Sequence, residues 1–262
     1  MIPYLVAFVS FLGATLIPVL LGLGLVTTAG RRIRREYLAA LAVGIFLWYF
    51  SDTVGDSAYL DVNASFSGGI EHVALFALFA VGLLLVFALD THAFSPETEA
   101  PAYSLAIPIL MAFAIGIHGL GEGADTGATA ALTQSTSVLD AFGGLSPGVG
   151  YVIHKALEPM MVGVSYCIYS KGRLTDMRRV LRDVFTLAAV FTVPAVIGEA
   201  FAYSVPFDTT YAFAFATGTS FYAVVRLSKP LFNSHLSESE SFRAALFLLL
   251  GLGSIYFAAL FH

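Results

Sequence analysis

Long apolar runs alternate with short polar breaks along almost the whole of this 262-residue chain. Eight runs approach or exceed the roughly 20 residues that a helix needs to cross a bilayer. The pattern therefore predicts an all-α polytopic membrane protein with eight transmembrane helices, in a single transmembrane transporter domain over residues 1–262. The predicted spans cover residues 3–29, 37–57, 71–89, 102–126, 149–169, 183–204, 210–227 and 243–261.

The polar breaks hold nearly all of the basic residues. With eight spans, the breaks after the first, third, fifth and seventh spans lie on the same side of the membrane. Twelve of the 13 lysines and arginines lie in or beside three of these breaks. By the positive-inside rule this side is the cytoplasm, so both termini are expected to face outside.

The composition of the chain mainly excludes a soluble domain. The chain is 58% hydrophobic and only 12% charged, with a mean hydropathy of +0.82, whereas a soluble domain is nearer one quarter charged. We therefore expect a multi-pass protein of the plasma membrane, whose first apolar run is a retained span rather than a signal peptide. Its net charge of −5 says little about partners, and no nucleic acid is expected to bind.

Two histidine–glutamate pairs lie inside the apolar runs. His118 and Glu122 belong to the fourth run, and His154 and Glu158 to the fifth. A four-residue spacing puts both members of a pair on one helix face. Because neighbouring spans run antiparallel, we expect His118 opposite Glu158 and Glu122 opposite His154. Two imidazoles and two carboxylates would complete a four-coordinate shell for Zn²⁺, and also suit Fe²⁺, Mn²⁺, Co²⁺ or Cd²⁺.

Other interpretations of these pairs differ in what they require. Structural polar packing would need no ion. An intramembrane zinc-dependent hydrolase would use the two histidines as ligands and a glutamate as general base, but the chain has no HExxH motif and four candidate ligands leave no vacancy. A haem-binding helix pair would need only the histidines. We therefore expect neither an enzyme nor a prosthetic group, with the metal as a transported substrate.

Glycine and aspartate residues surround the histidine–glutamate pairs. Five glycines leave the fourth run thin, so that a neighbouring helix or an ion can approach closely; they are Gly116, Gly119, Gly121, Gly123 and Gly127. Asp52 and Asp56, one turn apart near the outer end of the second span, and Asp125, just beyond Glu122, are candidates for a path by which hydrated cations enter. The alternative is that these aspartates are simply solvated.

The two motifs resemble signatures of the ZIP (Zrt/Irt-like) metal transporters. His118-Gly-Leu-Gly-Glu122-Gly123 is similar to the fourth-helix signature, usually written HNxPEG, and His154-Lys-Ala-Leu-Glu158 to the fifth-helix signature, HExPEG. The eight spans, the outward termini and ATGTSFYAVVRLSKP in the seventh span also fit this family. The resemblance implies import of a divalent metal by a homodimer, with a site-bearing helical unit that moves against a dimerising unit.

The resemblance also implies an internal repeat. In the ZIP family, the fourth and fifth helices lie between two inverted three-helix repeats. The chain carries a short echo of such a repeat, since Ala42-Val43-Gly44 in the second span resembles Ala216-Thr217-Gly218 in the seventh. These two spans are predicted to run in opposite directions, as an inverted repeat requires.

Three positions depart from the family pattern. Gly119 and Gly121 stand where Asn and Pro are common, and Lys155 stands where many members have an acid that helps to build a second metal site. A lysine ammonium would repel a second cation and replace its charge, so we predict one metal ion rather than two. Glu199 resembles the acid that the family contributes from the sixth helix. It is a candidate counter-ion of Lys155, because a buried unpaired ammonium is costly. The alternative is a carboxylate near the outer end of the sixth span that reaches water.

Overall fold

A computed structural model of the chain describes residues 2–63, 70–93, 104–133, 142–205 and 208–260. These residues form α-helices and short helical turns, without a β-strand, so the predicted all-α class is confirmed for them. The helices are α1 (Ile2–Ala29), α2 (Arg35–Asn63), α3 (Ile70–Ala88), α4 (Ala106–Gly116), α5 (Gly119–Thr133), α6 (Leu145–Tyr169), α7 (Met177–Ala202), α8 (Thr209–Phe232) and α9 (Glu238–Ala259).

Six segments of the described chain are long and apolar enough to cross a membrane. They are Tyr4–Arg32, Arg35–Gly55, Ile70–His92, Ala106–Thr133, Met177–Ala202 and Glu238–Ala258. Of the eight spans predicted from the sequence, six thus correspond to segments that meet the criteria of length and composition. The other two predicted spans correspond to α6 and α8, which are long enough but more polar, because α6 carries the second histidine–glutamate pair and α8 carries several buried threonine and serine side chains.

The two more polar helices lie inside the bundle. α6 packs against α1, α2 and α4, and α8 packs against α2, α3 and α4. α5 lies along α7, and α9 lies along α2. By contrast, α3 and α9 expose large apolar side chains, such as Phe76 and Leu250. An exposed apolar surface of this kind suits contact with lipid.

Backbones touch at reciprocal glycines in two helix pairs, α2 with α9 and α3 with α8. In each pair, a glycine on either helix faces a carbonyl oxygen that lies three residues before the partner's glycine. A Cβ atom added at any of these glycines would lie only 2.0–2.3 Å from that oxygen. The glycines are Gly44, Gly251, Gly82 and Gly218, and the facing carbonyls belong to Leu248, Leu41, Phe215 and Phe79, respectively.

The glycines of the fourth predicted span have a similar role. Gly116, Gly119, Gly123 and Gly127 all face α7, and a Cβ at Gly123 would lie 2.0 Å from the Ala195 carbonyl oxygen. The remaining one, Gly121, faces the Phe213 ring of α8. The predicted close approach of a neighbouring helix is therefore confirmed, and that helix is α7.

Most of the basic residues meet at one end of the bundle, the basic end. Arg34 forms an ion pair with Glu240, which joins the α1–α2 connection to α9. At the same end, Arg226 Nε lies 3.1 Å from Asp90 Oδ2. Arg173 Nε lies 2.6 Å from Asp183 Oδ2. The breaks that were predicted to share one side of the membrane therefore do come together.

Candidate metal centre

His118 lies at a break between α4 and α5. Its backbone N–H donates to the Ile115 carbonyl at 3.3 Å, three residues back, instead of to the Ala114 carbonyl four residues back. The freed Ala114 carbonyl accepts a hydrogen bond of 2.7 Å from Thr219 Oγ1 of α8, and the Tyr49 hydroxyl of α2 donates to Ile115 at 3.3 Å. A hydroxyl group of α8 thus satisfies the Ala114 carbonyl that the break frees, and a hydroxyl group of α2 adds a second donor to the Ile115 carbonyl. Backbone groups inside a lipid environment need such partners.

The two histidine–glutamate pairs meet where the α4–α5 break and the first turn of α5 approach α6. One ligand atom from each of His118, Glu122, His154 and Glu158 lies within 4.8 Å of all the others. His118 Nε2 is 3.4 Å from Glu122 Oε1, and His154 Nε2 is 3.0 Å from Glu158 Oε1. Across the helices, His118 Nε2 is 3.7 Å from Glu158 Oε1, as the antiparallel arrangement predicts.

Lys155 also belongs to this cluster, although its acidic partners are not the one that was predicted from the sequence. Its ammonium forms an ion pair with Glu122 Oε2 and lies 2.7 Å from Glu158 Oε2, in a side chain that is 1% exposed. Each carboxylate therefore turns one oxygen towards the ammonium and its other oxygen, Oε1, towards the imidazoles. A carboxylate oxygen of Glu122 also lies within 4.8 Å of a His154 ring nitrogen, in agreement with the predicted position of Glu122 opposite His154. The contact of Glu122 with the Lys155 ammonium was not predicted from the sequence.

Three side chains from α2 and α8 hold the His118 ring. Thr53 Oγ1 lies 3.3 Å from His118 Nδ1, so Nε2 is left to face the carboxylates. The Tyr49 ring packs against the imidazole with centroids 4.9 Å apart, and the Phe213 ring does so at 5.1 Å. Such partners fix the orientation of a metal-binding histidine. The sequence pattern did not predict these three contacts, and its only signal for them was Thr53, a polar residue one turn after Tyr49 in an apolar run.

The predicted pairing of Lys155 with Glu199 is wrong. Glu199 is fully buried on α7, and neither of its carboxylate oxygens has a hydrogen-bond partner in the described part of the chain. Lys155 instead pairs with Glu158, which lies one turn away on its own helix, and with Glu122, which faces it. The backbone of Glu199 packs against Gly127, on the face of α5 that carries its glycines. α7 therefore contacts this glycine face, whereas Glu122 of α5 contacts Lys155 of α6.

The aspartates of the predicted path are placed only in part. Asp125 lies on α5, three residues after Glu122, and its side chain is exposed. The backbones of Asp52 and Asp56 belong to α2, but their side chains lie outside the described part of the structure. A role for the three carboxylates in guiding cations therefore stays a prediction.

The four clustered side chains are a candidate site for a divalent cation. Two imidazole nitrogens and two carboxylate oxygens are a donor set that Zn²⁺ accepts. His118, His154 and Glu158 are almost fully buried, whereas the Glu122 side chain is 15% exposed, so this carboxylate is the one nearest to solvent.

No family model matches the chain, and a search of the curated proteins found no match.

Proposed function

We propose that this chain transports a divalent transition metal, with Zn²⁺ as the first candidate, across a membrane into the cytoplasm. The observation that carries the proposal is the buried His118–Glu122–His154–Glu158 cluster, whose ligand atoms lie within 4.8 Å of one another. Ionisable side chains inside a membrane-spanning bundle are costly, and they usually mark the path of an ion. Fe²⁺, Mn²⁺, Co²⁺ and Cd²⁺ stay candidates because affinity order alone does not select among these metals.

The proposal includes eight crossings of the membrane, as in the ZIP transporters that the two motifs resemble. α6 has 25 residues and α8 has 24, so at 1.5 Å per residue each helix is about 36 Å long or slightly more, against a hydrocarbon core of about 30 Å. Their polar side chains are packed against neighbouring helices, so that crossing the bilayer would not bring these groups into contact with lipid.

Helix packing supports an inverted repeat of three helices around the site. The repeat would exchange α1, α2 and α3 with α7, α8 and α9, and the α4–α5 pair with α6. The main helix contacts are preserved by this exchange. The contact of α2 with α9 corresponds to that of α8 with α3, and the contact of α1 with α6 corresponds to that of α7 with α5. The exchange also relates Gly44 to Gly218, each of which faces a carbonyl oxygen at about the same distance.

The same exchange relates the two metal-binding motifs. The middle residue of the first motif is Leu120, and a Cβ at Gly198 of α7 would lie 2.1 Å from its carbonyl oxygen. The middle residue of the second motif is Ala156, and a Cβ at Gly22 of α1 would lie 1.9 Å from its carbonyl oxygen. Matching contacts at matching positions support the view that the helices on either side hold the two motifs in equivalent ways, as inverted-repeat transporters do around a midplane site.

The remaining parts of the proposal follow from the resemblance and the charge pattern. We place the basic end in the cytoplasm by the positive-inside rule, which puts both termini outside. The resemblance adds a plasma-membrane homodimer of a single transporter domain, which acts without a prosthetic group and without an enzymatic reaction.

Zinc influx into proteoliposomes with a trapped fluorescent indicator tests the transport function. We expect the wild-type protein to carry Zn²⁺ inwards. In His118→Ala and in Glu158→Ala, the rate of zinc influx should fall by at least about 100-fold. The basis is that removal of even the partners of metal ligands costs about 10–100-fold. His235→Ala is the matched control, because this histidine is exposed in the α8–α9 connection, away from the cluster.

Two outcomes would contradict the transport function. Wild-type rates in both ligand variants, with the control also unchanged, would mean that Zn²⁺ crosses by another route. Zinc bound by the wild-type protein with no influx of Zn²⁺ or of the other four metals would favour the hydrolase interpretation instead. Retention of helical content and of a monodisperse elution profile must accompany each variant.

A further inference from the structure

A second cluster of charged side chains lies at the basic end of the bundle. A cavity of about 490 Å³ opens between the α1–α2 connection and the segment that follows α6. Five cationic side chains line it, and the single acid in its lining is Glu36. The cations are Arg31, Arg32, Arg34, Arg35 and Lys171.

Three of these five cations have no carboxylate partner among the described residues. Glu36 forms ion pairs with Arg34 and Arg35, each with an N–O distance of 3.2 Å. Arg31, Arg32 and Lys171 form no ion pair within the described part of the chain, and the buried Nε of Arg31 has no hydrogen-bond partner there. A buried donor without a partner costs free energy, so this cavity favours an anion that accepts hydrogen bonds.

The shape of the cavity goes beyond what membrane topology requires. The positive-inside rule asks only for cations in a cytoplasmic break. Here a lysine from the α6–α7 connection faces the arginines of the α1–α2 connection across a concave space. Its floor is apolar and buried, formed by Leu38, Cys167 and Leu174. A cationic rim above an apolar floor fits a charged group that is attached to a less polar body.

We propose that this cavity binds a phosphate ester, the chemistry that an anionic phospholipid headgroup shares with a free phosphate monoester. Arginine guanidinium groups pair with phosphate oxygens through two parallel hydrogen bonds, and several of them around one cavity are typical of phosphate recognition. The cavity lies where α1 ends and α2 begins, and basic pockets between transmembrane helices at this level bind lipid headgroups. This site is independent of the metal centre and of the transport of metal.

Calorimetric titration of the full-length protein in a neutral detergent tests the proposal. The probes are dihexanoyl phosphatidic acid, glycerol 3-phosphate as the soluble phosphate monoester, and dihexanoyl phosphatidylcholine as the zwitterionic lipid. We expect saturable binding of one phosphatidic acid per chain. Because each charge-assisted hydrogen bond to the phosphate contributes roughly a factor of five or more, a triple variant with Arg31, Arg32 and Lys171 all changed to Gln should bind about 100-fold more weakly.

The matched control removes the same number of charges from the same end of the bundle. Arg178→Gln, Arg179→Gln and Arg243→Gln together change three cations that do not line this cavity. We expect this control to bind phosphatidic acid within about threefold of wild type, since these three cations make no hydrogen bond in the cavity and salt screens their attraction through solvent. Retained Zn²⁺ binding checks the fold of both triple variants. Lys171→Gln alone, at an exposed position, replaces the triple variant if that variant does not fold.

Each outcome decides the matter. Binding of phosphatidic acid but not of glycerol 3-phosphate assigns the cavity to a lipid headgroup, and equal binding of both assigns it to a soluble phosphate ester. The proposal is overturned if neither probe binds saturably, if both triple variants weaken binding equally, or if phosphatidylcholine binds as tightly as phosphatidic acid.

Discussion

Replacement of Lys155 by methionine is expected to destabilise the metal-free protein by about 3 to 5 kcal/mol, the range found when one partner of a buried ion pair is removed. The Lys155 ammonium is buried between Glu122 and Glu158 and is their one lysine or arginine partner in the described part of the chain. Methionine has a similar length but no charge, so two facing carboxylates would be left without a cation. Bound Zn²⁺ supplies positive charge to the same carboxylates and should therefore restore most of the lost stability.

The experiment compares melting temperatures of chelator-treated and zinc-loaded protein. We expect a large gain on addition of Zn²⁺ for Lys155→Met and a smaller gain for wild type. Lys229→Met is the matched control, because this lysine is exposed near the end of α8 and touches none of the four ligands. Equal melting temperatures of metal-free Lys155→Met and metal-free wild type would show that the ammonium does not balance the two carboxylates.

Metal stoichiometry gives an independent check on the same side chain. Together Glu122, Glu158 and Lys155 carry a charge of −1, which is enough for one divalent cation but a poor environment for two. We therefore expect one Zn²⁺ per chain in wild type and two in Lys155→Glu, where a third carboxylate replaces the ammonium. Native mass spectrometry of the detergent-released protein counts the ions. Two ions in wild type would contradict the role of Lys155 as the substitute for a second metal.

The cluster could be predicted from sequence because its main features depend on local spacing. A four-residue interval puts His118 with Glu122 and His154 with Glu158, and the antiparallel order of neighbouring spans brings His118 to Glu158. These relations need only helix geometry and alternation of direction. For the same reason, the glycines of the fourth span could be assigned to a close helix contact before the partner helix was known.

Other features depend on contacts between residues that are distant in the sequence. The break at His118 is held by Thr219 and Tyr49, and nothing in the residues around position 118 says which hydroxyl groups will lie beside it. The predicted Lys155–Glu199 pair failed for a related reason, because family resemblance named two charged groups in neighbouring helices without fixing their faces. Once the glycine face of α5 is packed on α7, Glu199 lies against Gly127, and Glu158 is the nearer acid.

The glycine face of α5 leads to the second large effect, which concerns both stability and metal binding. Gly123→Ala places a methyl group where the Ala195 carbonyl oxygen is only 2.0 Å away. A backbone carbonyl cannot rotate aside as a side chain can, so α5 and α7 must separate. Overpacking of a close contact costs about 1 to 3 kcal/mol, and we expect the upper end of this range. Because Glu122 is the preceding residue, the same shift should displace a metal ligand and lower the zinc influx rate by about tenfold.

Gly24→Ala is the matched control, because it is the same change in the interior of another predicted span. A Cβ at Gly24 would meet no atom within 4 Å, and alanine is the better helix former, so this variant should be as stable as wild type or more stable by up to about 1 kcal/mol. Melting temperature and zinc influx are measured on both variants. If Gly123→Ala matched Gly24→Ala in both measurements, the contact between α5 and α7 would not be as close as described, and the position of Glu122 would not depend on it.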